Sequence, residues 1–242
     1  MKNPVVDTPA VHYEEGRMAR TVIPVADEVS LEVFVDDIPV GKIACSGISL
    51  DELILGYLKT GGVIESIDNI QTMEIKMSPP QARLITAPAV AGKRVPAPPE
   101  TSGGTEFTVT AEETITLMDR LLDSSNIHEL TRGTHCSALA GVAGIICTRE
   151  DIGRNNTIDM LIGYSLMNRI NSGNCSIVTT GRISAEIVGK MMTGGFPLLI
   201  SHSAPTSGAI TLAERAGITL VGSVRNGGLQ VYTHERRVIF EP

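Results

Sequence analysis

Residues 175–233 read CSIVTTGRISAEIVGKMMTGGFPLLISHSAPTSGAITLAERAGITLVGSVRNGGLQVYT. Short apolar runs alternate in this stretch with two segments of helical composition, residues 184–193 and 206–216, each followed by glycine. Strands that alternate with crossover helices pair in parallel, through right-handed connections. The stretch therefore predicts an α/β sheet, with strands at residues 175–180, 197–202, 218–224 and 229–233.

The residues before this stretch extend the same domain. Thr110 and Glu113 have the spacing of a capping box and predict the start of a helix that runs through Leu122. Residues 137–140 and 144–148 flank Gly141-Val142-Ala143 and predict a hairpin. A further helix is expected over residues 157–170, with Asn156 as its N-cap. Residues 106–242 are thus predicted to form one α/β domain.

The N-terminal part has a different pattern, and we expect a small α+β domain over residues 1–80. Residues 20–24 and 29–35 are expected to pair as strands. Ser49 and Glu52 predict a second capping box, which opens a helix that ends at Gly61. A strand at residues 70–77 completes the unit. Residues 81–105 are rich in proline and glycine and predict an inter-domain loop.

Composition excludes several classes of function. The formal net charge of −7 argues against a broad surface for nucleic acid or for an anionic membrane. No stretch approaches the ~20 apolar residues of a membrane helix, and the N-terminus lacks the pattern of a signal peptide. The four cysteines contain no C-x-x-C pair, which predicts free thiols, no tightly bound metal and a cytoplasmic location.

Four loops are expected at the carboxyl edge of the sheet or at helix N-termini, where α/β proteins bind ligands. They are residues 150–154, 180–184, 203–207 and 223–228. They carry Arg154, Arg182 and Arg225, which suit a phosphate-bearing ligand. Glycine and serine after a strand are also ordinary turn and cap residues. The residues alone therefore also fit loops that form turns and helix caps and bind no ligand.

Several long motifs carry a resemblance to a known family. They are TRGTHCSALAGVAGIICTREDIGRNNTIDMLIG (131–163), TTGRISAEIVGKMMTGG (179–195), HSAPTSGAITLAERAGITLVGSVRNGG (202–228), VYTH (231–234) and CSGISLDELILGYLKTGGVI (45–64). Because these motifs occur in the same order along the chain, it resembles the accessory sulfurtransferases that mature formate dehydrogenase, the FdhD family. The resemblance covers nearly the whole chain.

The resemblance implies a function. Members of the family take sulfur from a cysteine desulfurase as a persulfide and pass it to the molybdenum cofactor, a bis-guanine-dinucleotide form, for formate dehydrogenase. It also implies a homodimer and a cytidine-deaminase-like three-layer α/β/α domain that binds guanine nucleotide such as GDP. The zinc motif of the deaminases themselves is missing. The candidate cofactor-binding residues are Arg225, Gly227, Arg182, Gly181, Arg154, Asp151 and His135.

The chain departs from the family at the sulfur carrier. Aligned on Gly92-Lys93, Pro88 and Ala91 stand where the resemblance implies the two cysteines of a Cys-Gly-x-Cys-Gly loop. Cys136, beside His135, is the one substitute thiol we consider as a catalytic residue. Two hypotheses remain open: a sulfurtransferase with a relocated thiol, and a non-catalytic carrier or chaperone that binds the guanine dinucleotide without persulfide chemistry.

Overall fold

The computed structural model describes residues 3–87 and 107–240, and the chain begins with a long hairpin. Strand β1 (Val5–Glu14) pairs antiparallel with β2 (Arg17–Ala26) through ten residue pairs. Glu15 and Gly16 form the turn with φ of 49° and 80°, the left-handed values that a tight two-residue hairpin turn requires. The predicted pairing of residues 20–24 with 29–35 is therefore wrong, because β2 has β1 as its partner.

A four-stranded sheet and one helix form the N-terminal unit. The strands are β3 (Val29–Val35), β4 (Ile38–Cys45), β5 (Ile70–Met77) and β6 (Pro80–Thr86), in the spatial order β4-β3-β6-β5. Helix α1 (Leu50–Thr60) buries Leu53, Ile54 and Leu58 in the same apolar core as the inward side chains of β3. The unit is α+β, as predicted. It ends at Thr86 and not at residue 80, because β6 pairs with both β3 and β5.

The start of α1 differs from the prediction. Ser49 has a left-handed backbone (φ 44°) and makes no side-chain capping hydrogen bond. Glu52 does not reach back to it, because its carboxylate is paired with the guanidinium of Arg149. The capping box at Ser49 is therefore wrong, although α1 ends before Gly61 as expected.

A six-stranded sheet forms the larger domain. Its strands are β8 (His135–Gly141), β9 (Gly144–Asp151), β10 (Ser176–Thr179), β11 (Leu198–Ser201), β12 (Thr219–Arg225) and β13 (Gly228–Thr233). Their spatial order is β13-β12-β11-β10-β8-β9. The β10–β11 and β11–β12 pairs are parallel, and the crossover helices are α5 (Ala185–Gly194) and α6 (Ser207–Ala216). The prediction of a parallel α/β unit is confirmed.

Helices cover both faces of this sheet. Helix α2 (Ala111–Asp123) buries Leu117, Met118 and Leu121 against one face. Helices α5, α6 and α4 (Arg154–Met167) pack on the other. A short helix α3 (Asn126–Thr131) precedes β8, and β7 (Val109–Thr110) pairs with β14 (Val238–Ile239). The three-layer α/β/α arrangement is as predicted, and so is the capping box, in which Thr110 Oγ1 accepts from Glu113 N at 3.0 Å.

Helix α4 begins earlier than the sequence predicts. Its N-cap is Gly153 and its first residue is Arg154. Asn156, the expected N-cap, instead donates from Nδ2 to Ala44 O at 2.7 Å and to Asp151 Oδ1 at 2.6 Å. The side chain therefore connects the N-terminal unit with the larger domain.

The two units meet where α1 and α4 cross with their backbones in contact. A Cβ atom on Gly56 would lie 1.8 Å from Asp159 O, and one on Gly163 would lie 1.9 Å from Glu52 O. Both distances are far below any real Cβ contact, and the obstructing atoms are backbone. Met160 of α4 belongs to the core of the N-terminal unit, whereas Ile158, Leu161 and Ile162 belong to the core of the larger domain. Helix α4 is therefore shared by both.

We expect Gly56→Ala and Gly163→Ala each to lower the free energy of unfolding by about 3 kcal/mol, because a methyl group forces two packed helices apart. Urea denaturation measures this loss. The matched control is Gly189→Ala in α5, where an added Cβ meets nothing within 4 Å. That substitution should raise stability by about 0.5–1 kcal/mol. Similar stability for all three variants would contradict the close packing of α1 on α4.

Candidate functional site

Two helix N-termini lie side by side at the carboxyl edge of the sheet. Residues 180–184 connect β10 to α5, and residues 202–206 connect β11 to α6. Ser184 and Thr206 are the N-caps, and their hydroxyls accept from Ile187 N and Ala209 N. Thr206 N donates to Ile183 O at 2.9 Å, which holds the loops together. Such paired N-termini present unpaired amides and positive dipole ends to an anion.

His135 and Arg154 reach the same edge from the neighbouring strands. In the antiparallel pair of β8 and β10, Ser137 lies opposite Thr179, so His135 extends past the end of β10. Arg154 follows β9 and lies against Gly181, where an added Cβ would sit 3.0 Å from Arg154 Cβ. Gly181 therefore provides the room that the arginine side chain needs. The structure places His135, Arg154 and Gly181 at the same edge of the sheet.

The pKa of His135 responds to the charged side chains near its imidazole. Partial burial lowers the pKa of its imidazole, and so do the charges of Arg154, His128 and Arg182. Arg182 is therefore close enough to act on the ring as well. A lowered pKa keeps His135 neutral near pH 7, where it can donate one hydrogen bond and accept another. The centre of the site is positive through its arginines.

Two buried polar atoms in this region have no partner among the described residues. Arg154 Nε and Asn155 Oδ1 are inaccessible to solvent and have no hydrogen-bond partner within residues 3–87 and 107–240. In the same part of the chain, neither Arg154 nor Arg182 forms an ion pair with a carboxylate. A buried donor without an acceptor costs ~1–3 kcal/mol. An anionic ligand that accepts from Arg154 would remove this cost.

Arg225 and Gly227 occupy the same edge two strands away. Both are exposed where β12 leads into β13, and Asn226 and Gly227 of the turn have positive φ, as does Ser223 near the end of β12. Strands lie ~4.8 Å apart, so β12 is roughly 10 Å from β10. Arg225 can therefore reach an extended ligand that also contacts Arg182. Its direct part in binding stays a prediction.

Asp151 has a structural role in place of the predicted contact with a ligand. It is fully buried, and its two oxygens accept four hydrogen bonds, from Ser46 N, Ser46 Oγ, Gly153 N and Asn156 Nδ2. These donors leave it no free surface. Ser46 follows β4, so Asp151 ties the N-terminal unit to the start of α4. Sequence reasoning missed Ser46, because a contact across 105 residues leaves no local pattern.

The structure argues against Cys136 as a nucleophile. The residue has no exposed surface, and burial raises the pKa of its thiol to about 11. Its thiol interacts with Ser125 and Ser124 on the α2 side of the sheet, so the neighbouring His135 does not activate it. Cys45 and Cys175 are also buried, and the half-buried Cys147 has a pKa raised to about 11 by burial. A reactive thiolate needs the opposite environment.

Within residues 3–87 and 107–240, no group of three or more His, Cys, Asp and Glu side chains could hold a metal ion. No helix there is long and apolar enough to cross a membrane. The predicted sulfur-carrier positions Pro88 and Ala91 lie outside the described residues.

We expect the pKa of His135, followed by NMR titration, to lie below its ordinary value of about 6.5. Arg182→Ala should raise this pKa because it removes one repelling charge, and added pyrophosphate should raise it further. The folded state binds fewer protons than the unfolded state, so His135 lowers stability as pH falls through about 6.5. Arg215→Ala, in the last turn of α6, is the control and should leave the titration unchanged. An unshifted His135 in Arg182→Ala would contradict the geometry.

The chain is similar to known proteins in sequence and in structure. A model of the FdhD/NarQ family matches residues 86–239. Two proteins named sulfur carrier protein FdhD, from Staphylococcus aureus strains MRSA252 and Newman, are 31% and 30% identical to the chain. Each alignment spans 252 positions and covers 96% of this chain and 95% of the relative. A crystal structure described as a formate dehydrogenase accessory protein from Desulfotalea psychrophila matches with a TM-score of 0.85 at 22% identity. This structural match covers 98% of this chain and 100% of the chain in the crystal structure.

Proposed function

The chain belongs to the FdhD/NarQ family, and from this premise we propose that it binds the guanine-dinucleotide form of the molybdenum cofactor during maturation of formate dehydrogenase. In this proposal it is a carrier or chaperone that uses none of its own thiols. The observation that supports this proposal is the buried Arg154 Nε, which has no acceptor in the described part of the chain and lies at the edge of the sheet that also holds Arg182 and two helix N-termini.

The chemistry of the site fits a diphosphate. Guanidinium groups bind phosphate oxygens through paired, charge-assisted hydrogen bonds, and helix N-termini add backbone donors. Arg154 and Arg182 would hold the diphosphate, and neutral His135 would donate a further hydrogen bond. Asn155 Oδ1, a buried acceptor without a partner in the described chain, suits an N–H donor of the ligand. The acidic chain thus concentrates positive charge at one edge of the sheet.

The extent of the site suits a ligand longer than a single phosphate. Arg225 and Gly227 lie at the end of β12, and two strand spacings, roughly 10 Å, separate β12 from β10 along the sheet. A guanine nucleotide is long enough to place its diphosphate at the centre and its remaining groups toward the β12–β13 turn. GDP is therefore the simplest probe.

Sulfur transfer is the second candidate, and the names of the relatives favour it, since they are called sulfur carrier proteins. Persulfide chemistry needs an accessible thiolate. The sequence has four cysteines, and none of them is exposed. Binding without persulfide chemistry is therefore the function that the geometry supports best.

Partners and location follow as parts of the same proposal. The name of the structural relative supports formate dehydrogenase as the client. A cysteine desulfurase would be a partner only under the second candidate. Free cysteines are typical of a reducing compartment, which favours the cytoplasm. We also propose a homodimer.

We expect the protein to bind GDP, measured by isothermal titration calorimetry. Arg154→Ala, Arg182→Ala and Arg225→Ala should each weaken binding by about tenfold or more, because each removes a charge-assisted contact worth roughly 1.5–3 kcal/mol. Arg215→Ala keeps the change in charge but lies away from the site, so it should bind GDP like the parent. Unchanged affinity in the Arg154 and Arg182 variants would refute the site. An unchanged Arg225 variant would remove only the outer contact.

Incubation with a cysteine desulfurase and cysteine, followed by intact-mass measurement, tests the second candidate. We expect no mass increase by one sulfur atom, because all four thiols are buried or half-buried. A stable sulfur adduct that disappears in Cys136→Ala or Cys147→Ala would establish persulfide transfer instead. The GDP titration of the same sample keeps the two functions distinguishable.

A further inference from the structure

Four buried hydroxyl groups lie beneath the candidate site and take no part in the contacts proposed for its ligand. They belong to Ser137 of β8, Thr157 of α4, Thr179 of β10 and Ser201 of β11, and each residue is at most 3% exposed. Burying a hydroxyl group is unfavourable unless the group forms hydrogen bonds. The partners of these four hydroxyls therefore show which parts of the site they hold in place.

Ser137 connects the two segments that carry the inner arginines of the site. Its Oγ lies 2.7 Å from Thr157 Oγ1 and donates to Thr179 Oγ1 at 2.8 Å. On one side, Thr157 Oγ1 donates to Arg154 O at 2.8 Å. On the other side, Thr179 Oγ1 accepts from Gly181 N at 3.1 Å. A single hydroxyl group of β8 thus links the first turn of α4 to the loop that follows β10.

Hydroxyl groups hold Gly181 from both sides. Its N–H donates to Thr179 Oγ1, and its carbonyl oxygen accepts from Ser201 Oγ at 2.8 Å. Ser201 Oγ also accepts from Ser203 N at 2.9 Å, which joins the loop after β11 to the same group. The residue after Gly181 is Arg182. The backbone that carries this arginine is therefore positioned by side chains of three neighbouring strands.

The spacing between these two segments determines where their guanidinium groups can reach. Within residues 3–87 and 107–240, neither Arg154 nor Arg182 has a carboxylate partner that would fix its side chain from outside the site. The position of each backbone is therefore the constraint that both side chains share. Donors that are already placed for a ligand lose less entropy when it binds.

We propose that Ser137 is a positioning residue of the candidate site, whose hydroxyl group keeps Arg154 and Arg182 at a spacing that one diphosphate can bridge. This inference rests on the proposed guanine-nucleotide site and adds to it a residue that does not touch the ligand. Ser137 has no exposed surface, so it acts through the two threonines. Without its hydroxyl, each threonine keeps its bond to the backbone of its own segment, but hydrogen bonds no longer connect the segments.

The first test compares two buried serines. Ser137→Ala should weaken GDP binding by roughly fivefold or more in calorimetry, because the ligand must then order the two segments itself. Ser165→Ala is the control: Ser165 is 4% exposed and its Oγ donates to Leu161 O at 2.8 Å within α4. Its GDP affinity should equal that of the parent, and urea denaturation of both variants separates lost folding from lost binding. Parent-like affinity of Ser137→Ala would overturn this inference and leave the proposed function intact. A parent that does not bind GDP would overturn both.

The second test separates the hydroxyl groups from packing, and it applies even if Ser137→Ala does not fold. Thr157→Val and Thr179→Val remove a hydroxyl but keep the branched shape, and each should weaken GDP binding like Ser137→Ala. Thr157→Ser and Thr179→Ser keep the hydroxyl and should retain the affinity of the parent. Thr114→Val in α2 is the control, because Thr114 is also fully buried and its Oγ1 donates to a backbone oxygen, Thr110 O, at 2.9 Å. Equal losses in the valine and serine variants would assign the effect to packing and overturn the inference.

Discussion

The close approach of α1 and α4 is the constraint on which the rest of the structure depends. Gly56 and Gly163 let the two backbones touch, each against a carbonyl group of the other helix. The buried pair Asp159–Lys190 and the hydrogen bond from Thr60 to Asp159 lie beside the crossing, and Glu52 pairs with Arg149 near its other end. A buried ion pair contributes little net stability but fixes geometry, because breaking it leaves a charge without a partner. The N-terminal unit and the larger domain therefore hold one relative position.

This position determines where the charges of the candidate site lie. Asp151 accepts from Ser46 of the N-terminal unit and from Gly153 at the N-cap of α4. The first turn of α4 is thereby fixed from two sides, and Arg154 lies against Gly181 at the end of β10. Pre-organised donors lose little entropy when a ligand binds. The N-terminal unit thus supports a site to which it contributes no arginine.

Burial separates the environment of the cysteines from that of a reactive thiolate. Cys136 follows His135 directly, yet the pleat of β8 directs the thiol to the α2 side of the sheet, where burial raises its pKa to about 11. The imidazole remains at the edge, among arginines that lower its pKa. Adjacent residues on one strand thus have unrelated environments. The candidate site gathers positively charged side chains, whereas the cysteines belong to the apolar cores or pack against them.

The sequence by itself determined the alternation of strands and helices in residues 175–233, the capping box at Thr110 and the β8–β9 hairpin. Each depends on periodicity, caps and turn residues that act within a few positions. Only the tertiary structure decided that Glu52 engages Arg149, that Ser46 binds Asp151 and Asn156 binds Ala44, and that Cys136 faces the core. These choices depend on contacts between residues far apart in the chain. Such contacts have no local pattern, because their free energy exists only once the two units have packed together.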